Sequence, residues 1–309
     1  MSTAIPLPNF FVIGAAKCGT TSLHELVSRH PEVFASAEKE THFFDYGKRY
    51  ARGPERWLEE HFTGSNGFAA RGESTPSYLH RGDKVIPRMV ELYGETDAPR
   101  LICLLRDPVE RAYSHYLDMA RSTLEAEPFD VALDLESERV AAGGPMRWRR
   151  YFGDGLYAAQ LEPWIAAFGR QSLLLLLSED LRARPRETLS EVFAFLGVRD
   201  DVTIDVTLRA NVAAEYRSQA AARLVNRPSR LKTLARQVLP ASLTRRLRDA
   251  LEHGFRRSID ASEKPPLPVA LAERLRARYL DDVTALEALL DRNLSHWKAP
   301  EPPTQAAQR

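Results

Sequence analysis

The chain has 309 residues, of which 44% are apolar, and this suffices for one large α/β domain or two small ones. Its 43 Lys and Arg residues against 42 Asp and Glu residues give a formal net charge of +1. Bulk charge therefore indicates neither nucleic acid nor a membrane as a partner. The two cysteines, Cys18 and Cys103, are too few for a disulfide framework and favour a reducing compartment.

We expect neither a targeting segment nor a membrane span. The N-terminus lacks a basic region, and its apolar run covers only residues 10–16. No later run approaches the roughly eighteen apolar residues that a spanning helix needs. These features predict a soluble cytoplasmic protein.

The first stretch of the chain predicts a strand, a loop and a helix. The apolar residues 10–13 fit a short buried strand, while Gly14 and Gly19 allow a tight loop. The hydroxyl residues 20–22 suit a helix start. A helix N-terminus beside Lys17 is a potential anion site.

This loop departs from the P-loop pattern of Gly, four residues, then Gly-Lys-Ser/Thr. Gly14, Gly19 and Thr21 match, but Thr20 stands in place of the lysine, and Lys17 comes three positions earlier. A kinase needs a metal to neutralise its triphosphate. A P-loop kinase therefore stays an alternative that this sequence disfavours.

The segment over residues 38–46 places titratable groups among aromatic ones, and we expect it at the carboxyl edge of the sheet. Farther along, strands are predicted over 100–105 and 172–177, and residues 71–78 are predicted to end a strand and turn at proline. Helices are predicted over 54–62, 83–93, 109–121, 129–141, 155–168 and 185–196. This alternation predicts an α/β fold with a P-loop-NTPase-like parallel sheet flanked by helices, its ligand at the strand carboxyl ends.

The strand over residues 100–105 ends in Arg106-Asp107-Pro108, and Pro108 suits the first turn of a helix. A magnesium site would need a carboxylate where Arg106 stands. An arginine there repels a metal and attracts a phosphate, so we expect no metal.

Basic residues are concentrated over 209–257, with twelve Lys and Arg against three Asp and Glu, a local charge of +9. Pro228 and Pro240 divide this stretch, which predicts short helices or a hairpin forming a basic lid over 209–264. A solvated helix face is the alternative. Because arginines alternate with leucines, peripheral membrane contact through 223–257 is a further possibility.

A last helix is predicted over residues 268–292, with one apolar face that packs on the core. The polar, proline-rich tail over 300–309 is expected to be disordered. We expect one domain over residues 1–309, with its α/β core in 8–200.

Two motifs resemble the sulfotransferases that use 3′-phosphoadenosine 5′-phosphosulfate (PAPS). Residues 11–23 resemble the family's 5′-phosphosulfate loop, and residues 101–116, with Leu-Arg-Asp-Pro-Val-Glu-Arg-Ala-Tyr-Ser, resemble its 3′-phosphate site. The resemblance extends over residues 8–200 and, more faintly, the last helix. Within that family, the motifs resemble most those of heparan sulfate sulfotransferases and their bacterial relatives.

The resemblance implies the residues that hold the cofactor. These are Lys17, Cys18, Gly19, Thr20, Thr21 and Ser22 around the phosphosulfate, Arg106 and Ser114 at the 3′-phosphate, and Tyr157. An arginine fork suits a phosphate, in agreement with that role.

The same resemblance implies that Glu40 is the catalytic base, that His42 assists it, and that Lys17 stabilises the leaving group. Asp45 is a weaker candidate. The alternatives are a surface pair between Glu40 and Lys39 or an arginine, and a merely packed imidazole at His42.

Ser74 stands where the heparan enzymes carry a lysine, which argues against a heparan-like acceptor. We therefore expect a PAPS-dependent sulfotransferase acting on a hydroxyl or amino group of a carbohydrate, glycolipid or small molecule. A non-catalytic nucleotide or glycan binder is the alternative from another class.

Overall fold

The computed structural model describes residues 4–94, 98–144, 149–207 and 265–299, together with the backbone of 213–216 and 256–259. The described residues fall into two compact units. The first unit comprises Met1–Arg111, Gly153–Ala210 and Glu273–Arg309, and the second comprises Ala112–Phe152 and Asn211–Ala272. The prediction of a single domain stays a prediction.

A five-stranded sheet forms the centre of the first unit, in the order β2-β3-β1-β4-β5, with every pairing parallel. Helices flank the sheet, which confirms the predicted P-loop-like α/β fold. Apolar side chains predominate in four of the strands because a parallel sheet is covered on both faces, whereas β3 has the sequence Ala-Arg-Gly-Glu-Ser. The strands are β1 (Phe10–Gly14), β2 (Val33–Ala35), β3 (Ala70–Ser74), β4 (Arg100–Leu105) and β5 (Leu173–Leu177).

The helices of the described residues follow most of the predicted ranges. They are α1 (Thr20–Val27), α2 (Gly47–Tyr50), α3 (Pro54–His61), α4 (Gly82–Tyr93), α5 (Pro108–Arg121), α6 (Phe129–Asp134), α7 (Glu136–Ala142), α8 (Tyr157–Phe168), α9 (Ser178–Ala183), α10 (Pro185–Leu196), α11 (Val269–Leu290) and α12 (Ser295–Lys298). A 3-10 helix, Pro76–Arg81, follows β3.

Several elements differ from the sequence prediction, among them α2, α12 and the 3-10 helix, which were not predicted. The single helix expected over 129–141 is two helices, α6 and α7. Strand β2 has only three residues, and α9 begins directly after β5, so neither was long enough to give a periodic pattern.

Helix α11 confirms the predicted packing helix, with Leu275, Tyr279, Val283 and Leu286 buried. Its Asp282 carboxylate accepts the N–H groups of Ala158 (3.2 Å) and Ala159 (3.1 Å), which belong to the first turn of α8. An acidic side chain at this position satisfies N–H groups that the helix itself cannot pair. Helix α11 therefore caps α8 from a distance of more than 120 residues in sequence.

In the second unit, a buried carboxylate that precedes α6 joins α7 to the chain that follows it. Glu125 accepts hydrogen bonds from Arg139 (2.8 Å) and from the hydroxyl of Tyr151 (2.9 Å). Burial would raise the pKa of Glu125, but backbone N–H groups and these partners hold it below the ordinary value. This is a structural ion cluster.

Two strands of the second unit, β6 (Ala213–Tyr216) and β7 (Arg256–Ile259), pair antiparallel near the ends of the expected lid. The sequence predicted short helices or a hairpin for this stretch, and the two described pieces are strands. The rest of the lid over 209–264, including most of 223–257, and the tail over 300–309 lie outside the described residues. Within the described part of the chain, none of the helices combines the length and the apolar character that crossing a membrane requires.

Candidate functional site

The loop after β1 has the backbone of an anion-binding turn. Lys17 and Gly19 both take positive φ, of 70° and 98°, and α1 begins at Thr20 immediately afterwards. The loop rests on the neighbouring strand, since Ala15 N–H donates to the Leu104 carbonyl at 2.8 Å. The first N–H groups of a helix have no partner in its own ladder, so the start of α1 can bind an anion.

Tyr157 supports this loop from below. Its side chain is fully buried, and its hydroxyl donates to the Arg106 carbonyl at 2.9 Å. The same hydroxyl lies 3.5 Å from Sγ of Cys18, which is also buried. Burial raises the pKa of the Cys18 thiol, so the sulfur packs as a neutral group. Tyr157 therefore connects the loop after β1 with the end of β4.

Arg106 lies at the carboxyl end of β4 with its side chain one-fifth exposed. Its guanidinium pairs with the Glu110 carboxylate, with Nε 2.9 Å from Oε2. Asp107 caps α5, because its Oδ1 accepts the N–H groups of Val109 (2.7 Å) and Glu110 (3.1 Å). The arginine is thus held at the same sheet edge as the loop after β1.

Three titratable side chains follow one another in the loop after β2. The imidazole of His42 has its Nδ1 3.1 Å from Oδ2 of Asp45 and its Nε2 3.7 Å from Oε2 of Glu40. Glu40 Oε1 also pairs with Lys39 Nζ at 2.7 Å. The Glu40 side chain is 45% exposed, whereas that of Asp45 is wholly buried. The loop therefore combines the predicted pair of Glu40 and His42 with the alternative pair of Glu40 and Lys39.

Asp45 is held by several donors. Ser77 Oγ donates to its Oδ2 at 2.7 Å, and Arg81 Nη1 lies 3.5 Å from the same oxygen. Burial alone would raise the pKa of Asp45, but the hydrogen bonds from His42 and Ser77 and the charge of Arg81 bring it below the ordinary value. An ionised Asp45 favours the His42 tautomer with a proton on Nδ1.

Ser74 ends β3 and contacts the loop after β2 and helix α1. Its carbonyl accepts the N–H of Glu40 at 2.9 Å, and its hydroxyl lies 2.8 Å from Nδ1 of His24 in α1. Burial and the charge of Lys39 lower the pKa of His24 to about 4. Ser74, which stands where the heparan enzymes carry a lysine, therefore forms a pair with His24 that is uncharged near neutral pH.

The structure brings Lys17, Arg106, Glu40 and His42 to one edge of the sheet, at the carboxyl ends of β1, β3 and β4. Thr20, Thr21 and Ser22 form the first turn of α1, as predicted for that stretch. Ser114 lies in α5, in the second unit. The binding and catalytic roles of all these residues stay predictions.

Sequence reasoning missed the supporting residues His24, Ser77 and Arg81. None of them belongs to a spacing pattern, and only the positions after Pro76 indicated a turn. Among the described residues, no group of three or more His, Cys, Asp or Glu side chains is placed to hold a metal.

The sequence was compared with protein-family models and with known proteins, and the matches are to sulfotransferases. A model of the sulfotransferase domain matches residues 7–287. Carbohydrate sulfotransferase 15 of Homo sapiens is 29% identical over 250 residues, which cover 62% of this chain and 44% of that protein. Bifunctional heparan sulfate N-deacetylase/N-sulfotransferase 4 of Mus musculus is 30% identical over 207 residues, which cover 62% of this chain and 22% of that protein. The chain thus spans less than half the length of either relative.

Among solved structures, a sulfotransferase from Alicyclobacillus acidocaldarius has the same fold. Its crystal structure matches with a TM-score of 0.68 at 27% identity, and the match covers 95% of this chain and 100% of that one. The similarity therefore extends over both sequence and architecture.

Proposed function

The chain belongs to the sulfotransferase family, and we propose that it transfers the sulfuryl group of PAPS to a hydroxyl or amino group. The proposed acceptor is a carbohydrate, a glycolipid or a small molecule. Relatives named as carbohydrate and heparan sulfate sulfotransferases support a glycan. The uncharged pair of Ser74 and His24 favours an acceptor that is less anionic than heparan.

One observation carries the proposal. An anion-binding loop with a lysine lies at the same sheet edge as the Glu40, His42 and Asp45 side chains. The reaction needs a cation that binds the donor phosphate and a base that accepts the acceptor proton, and this edge of the sheet has candidates for both. A binding protein would need only the first.

The donor side is assigned to the loop after β1. Lys17, the backbone of Cys18 and Gly19, and the first turn of α1 at Thr20, Thr21 and Ser22 would hold the phosphosulfate. When bound, PAPS supplies the sulfuryl group, and the bond from sulfur to the acceptor oxygen forms as the bond to phosphate breaks. Lys17 and the α1 N-terminus would stabilise the negative charge on the departing phosphate.

The 3′-phosphate is assigned to Arg106, and the binding role of Ser114 stays a prediction of the sequence. The arginine fork at the end of β4 fits a phosphate, which would compete with Glu110 for it. We propose that no metal takes part, because a fixed cation stands where a P-loop kinase needs a metal ligand. Tyr157, predicted to bind the cofactor, would act through the two groups its hydroxyl contacts.

The acceptor proton is assigned to Glu40. Its exposed carboxylate can reach an incoming hydroxyl, and it would take the proton as the acceptor oxygen attacks sulfur. His42 would orient that hydroxyl through Nε2, while Asp45 holds the opposite ring nitrogen. Lys39 would keep Glu40 in place until the acceptor binds.

The role of the basic segment over 209–264 as a lid stays a prediction of the sequence. Peripheral membrane contact through 223–257 and a cytoplasmic location remain predictions of the sequence.

Two measurements test the proposal. Adenosine 3′,5′-bisphosphate (PAP) should raise the melting temperature equally with magnesium and with EDTA, whereas a kinase would need the metal. Radiolabelled sulfate from PAPS should then appear on one member of a panel of glycans, glycolipids and phenols. Thermal stabilisation without any labelled product would favour a non-catalytic binder.

Glu40→Gln tests the assignment of the base. It should bind PAP as the wild type does and lose transfer by a factor of about 10²–10⁴, the usual contribution of a general base. Glu38→Gln is the matched control in the same loop and should keep its activity. Turnover of Glu40→Gln at the wild-type rate would contradict the assignment.

A further inference from the structure

A buried carboxyl group that the proposed reaction does not use lies beneath the Glu40 and His42 loop. Glu73 is the fourth residue of β3 and is fully buried. The Thr75 hydroxyl donates to its Oε2 at 2.6 Å. Burial raises the pKa of Glu73, and hydrogen bonding from Thr75 opposes this shift only in part. Burying a carboxyl group costs free energy of folding, which favours a specific role for Glu73 in its surroundings.

The loop above Glu73 has an unusual backbone. Glu40 and His42 both take positive φ, of 65° and 52°. For residues other than glycine, this conformation costs about 1–3 kcal/mol and persists only where surrounding contacts hold it. The catalytic loop therefore needs anchors.

Three alternate backbone N–H groups of the loop hold it, and they donate to the last residue of β3 and to the chain that follows. They are Glu40 N to Ser74 O at 2.9 Å, His42 N to Thr75 Oγ1 at 3.5 Å, and Phe44 N to Tyr78 Oη at 3.3 Å. The middle one is long and depends on the orientation of a hydroxyl group. It is also the one that holds the imidazole residue.

Thr75 connects three parts of the site. Its own N–H donates to the Val12 carbonyl in β1 at 3.1 Å, two residues before the phosphate loop starts. Its hydroxyl has one proton, and it donates this proton in the hydrogen bond to Glu73. The oxygen lone pairs are then left to accept the N–H of His42. The acceptor at Glu73 thus decides which way the Thr75 hydroxyl faces.

We propose that Glu73 is a positioning residue that, through Thr75, fixes His42 and the adjoining Glu40 relative to the strand leading into the phosphate loop. The inference deepens the proposed function and rests on it for the catalytic roles of Glu40 and His42. Glu73 itself is buried and is not proposed to touch donor or acceptor.

The first test measures amide hydrogen exchange by NMR and requires no turnover. Thr75→Val and Glu73→Met should each speed exchange of the His42 amide about tenfold, the effect of losing one hydrogen bond. Glu73→Gln and Thr75→Ser retain an acceptor and a hydroxyl, and should keep the wild-type protection. Thr188→Val is the control, because it removes another buried hydroxyl, which lies on α10 and donates to the Arg184 carbonyl.

The second test is kinetic. Thr75→Val and Glu73→Met should each lower kcat about tenfold and leave PAP affinity within twofold, and the double variant should resemble either single one. Thr188→Val should lower stability without changing kcat. Additive effects of the two substitutions would overturn the link from Glu73 to Thr75.

If the His42 amide exchanged at the wild-type rate in Thr75→Val, the proposal would also be overturned. This outcome could be read even if Glu73→Met failed to fold. Absence of sulfuryl transfer in the wild type would instead contradict the proposed function, while the exchange experiment would still decide the positioning role.

Discussion

The Nδ1 atom of His42 lies 3.1 Å from Oδ2 of Asp45, a carboxylate with no exposed surface. This contact directs Nε2 of the same ring toward Glu40, at 3.7 Å. The imidazole therefore lies between two carboxylates, one buried and one exposed, and only the exposed one can meet a molecule from solvent.

Asp45→Asn should slow transfer. The amide can present its NH₂ to Nδ1, which favours the tautomer with the proton on Nε2 and misdirects the ring. We expect kcat to fall by about 10–100-fold, part of what acid–base catalysis usually contributes. Steady-state kinetics with saturating PAPS measures this, and PAP affinity should stay unchanged. Equal loss of kcat and PAP affinity would mean that the whole loop had moved.

Glu110→Gln should strengthen donor binding. Glu110 pairs with Arg106, the residue assigned to the 3′-phosphate, and a neutral side chain would compete less. Because the pair is partly exposed, we expect PAP affinity to rise only about twofold. Calorimetric titration measures this. Weaker binding by Glu110→Gln would show that Glu110 orients Arg106 for the phosphate.

Lys17→Ala should weaken PAP binding about tenfold or more, since it removes a charge-assisted contact to the phosphate. Lys48→Ala, an exposed lysine on α2, serves as the control and should bind normally. Calorimetric titration of both variants decides the matter, and equal affinities would remove Lys17 from the donor site.

Tyr157→Phe should reduce both stability and donor affinity. It deletes the hydroxyl that joins the Arg106 carbonyl to Cys18, at a cost of about 1 kcal/mol of unfolding free energy. Tyr93→Phe is the matched control, because its buried hydroxyl bonds the Pro8 carbonyl at 2.7 Å. Denaturant unfolding should give similar losses for both variants, while calorimetry should show weaker PAP binding for Tyr157→Phe alone.

His24 should make the protein less stable in acid. Its pKa is lowered to about 4 in the folded state, so between pH 6.5 and 4 the unfolded chain takes up a proton that the folded chain refuses. The free energy of unfolding therefore decreases as the pH is lowered from 6.5 to 4. His24→Gln should flatten this fall, as measured by urea unfolding at several pH values. An unchanged pH dependence would contradict the lowered pKa.

The strand and helix units that position the site could be predicted from the sequence where the local signal was strong. Strand β4 has the predicted bounds, and α5 begins with the predicted Pro108, because an apolar run and an N-terminal proline act locally. Gly197 ends α10 in the left-handed conformation, as its position after the apolar pattern indicates.

The contacts within the site could not be predicted in this way. Asp45 meets Ser77 and Arg81 because a 3-10 helix follows Pro76, and the sequence showed only a turn there. The partner of Ser74 is His24, fifty residues earlier, on a helix with no distance rule to link them. Such pairs depend on how the strands are ordered in the sheet.

The cap that Asp282 places on α8 also bears on when the site can form during synthesis. All five strands of the parallel sheet and the loop after β1 leave the ribosome well before α11 does, so a nascent chain can assemble the sheet early. The start of α8, which carries Tyr157, gains its cap only after Asp282 has emerged. Donor binding should therefore mature last, and a chain that ends before α11 should hold the strands of the site with an unsupported loop.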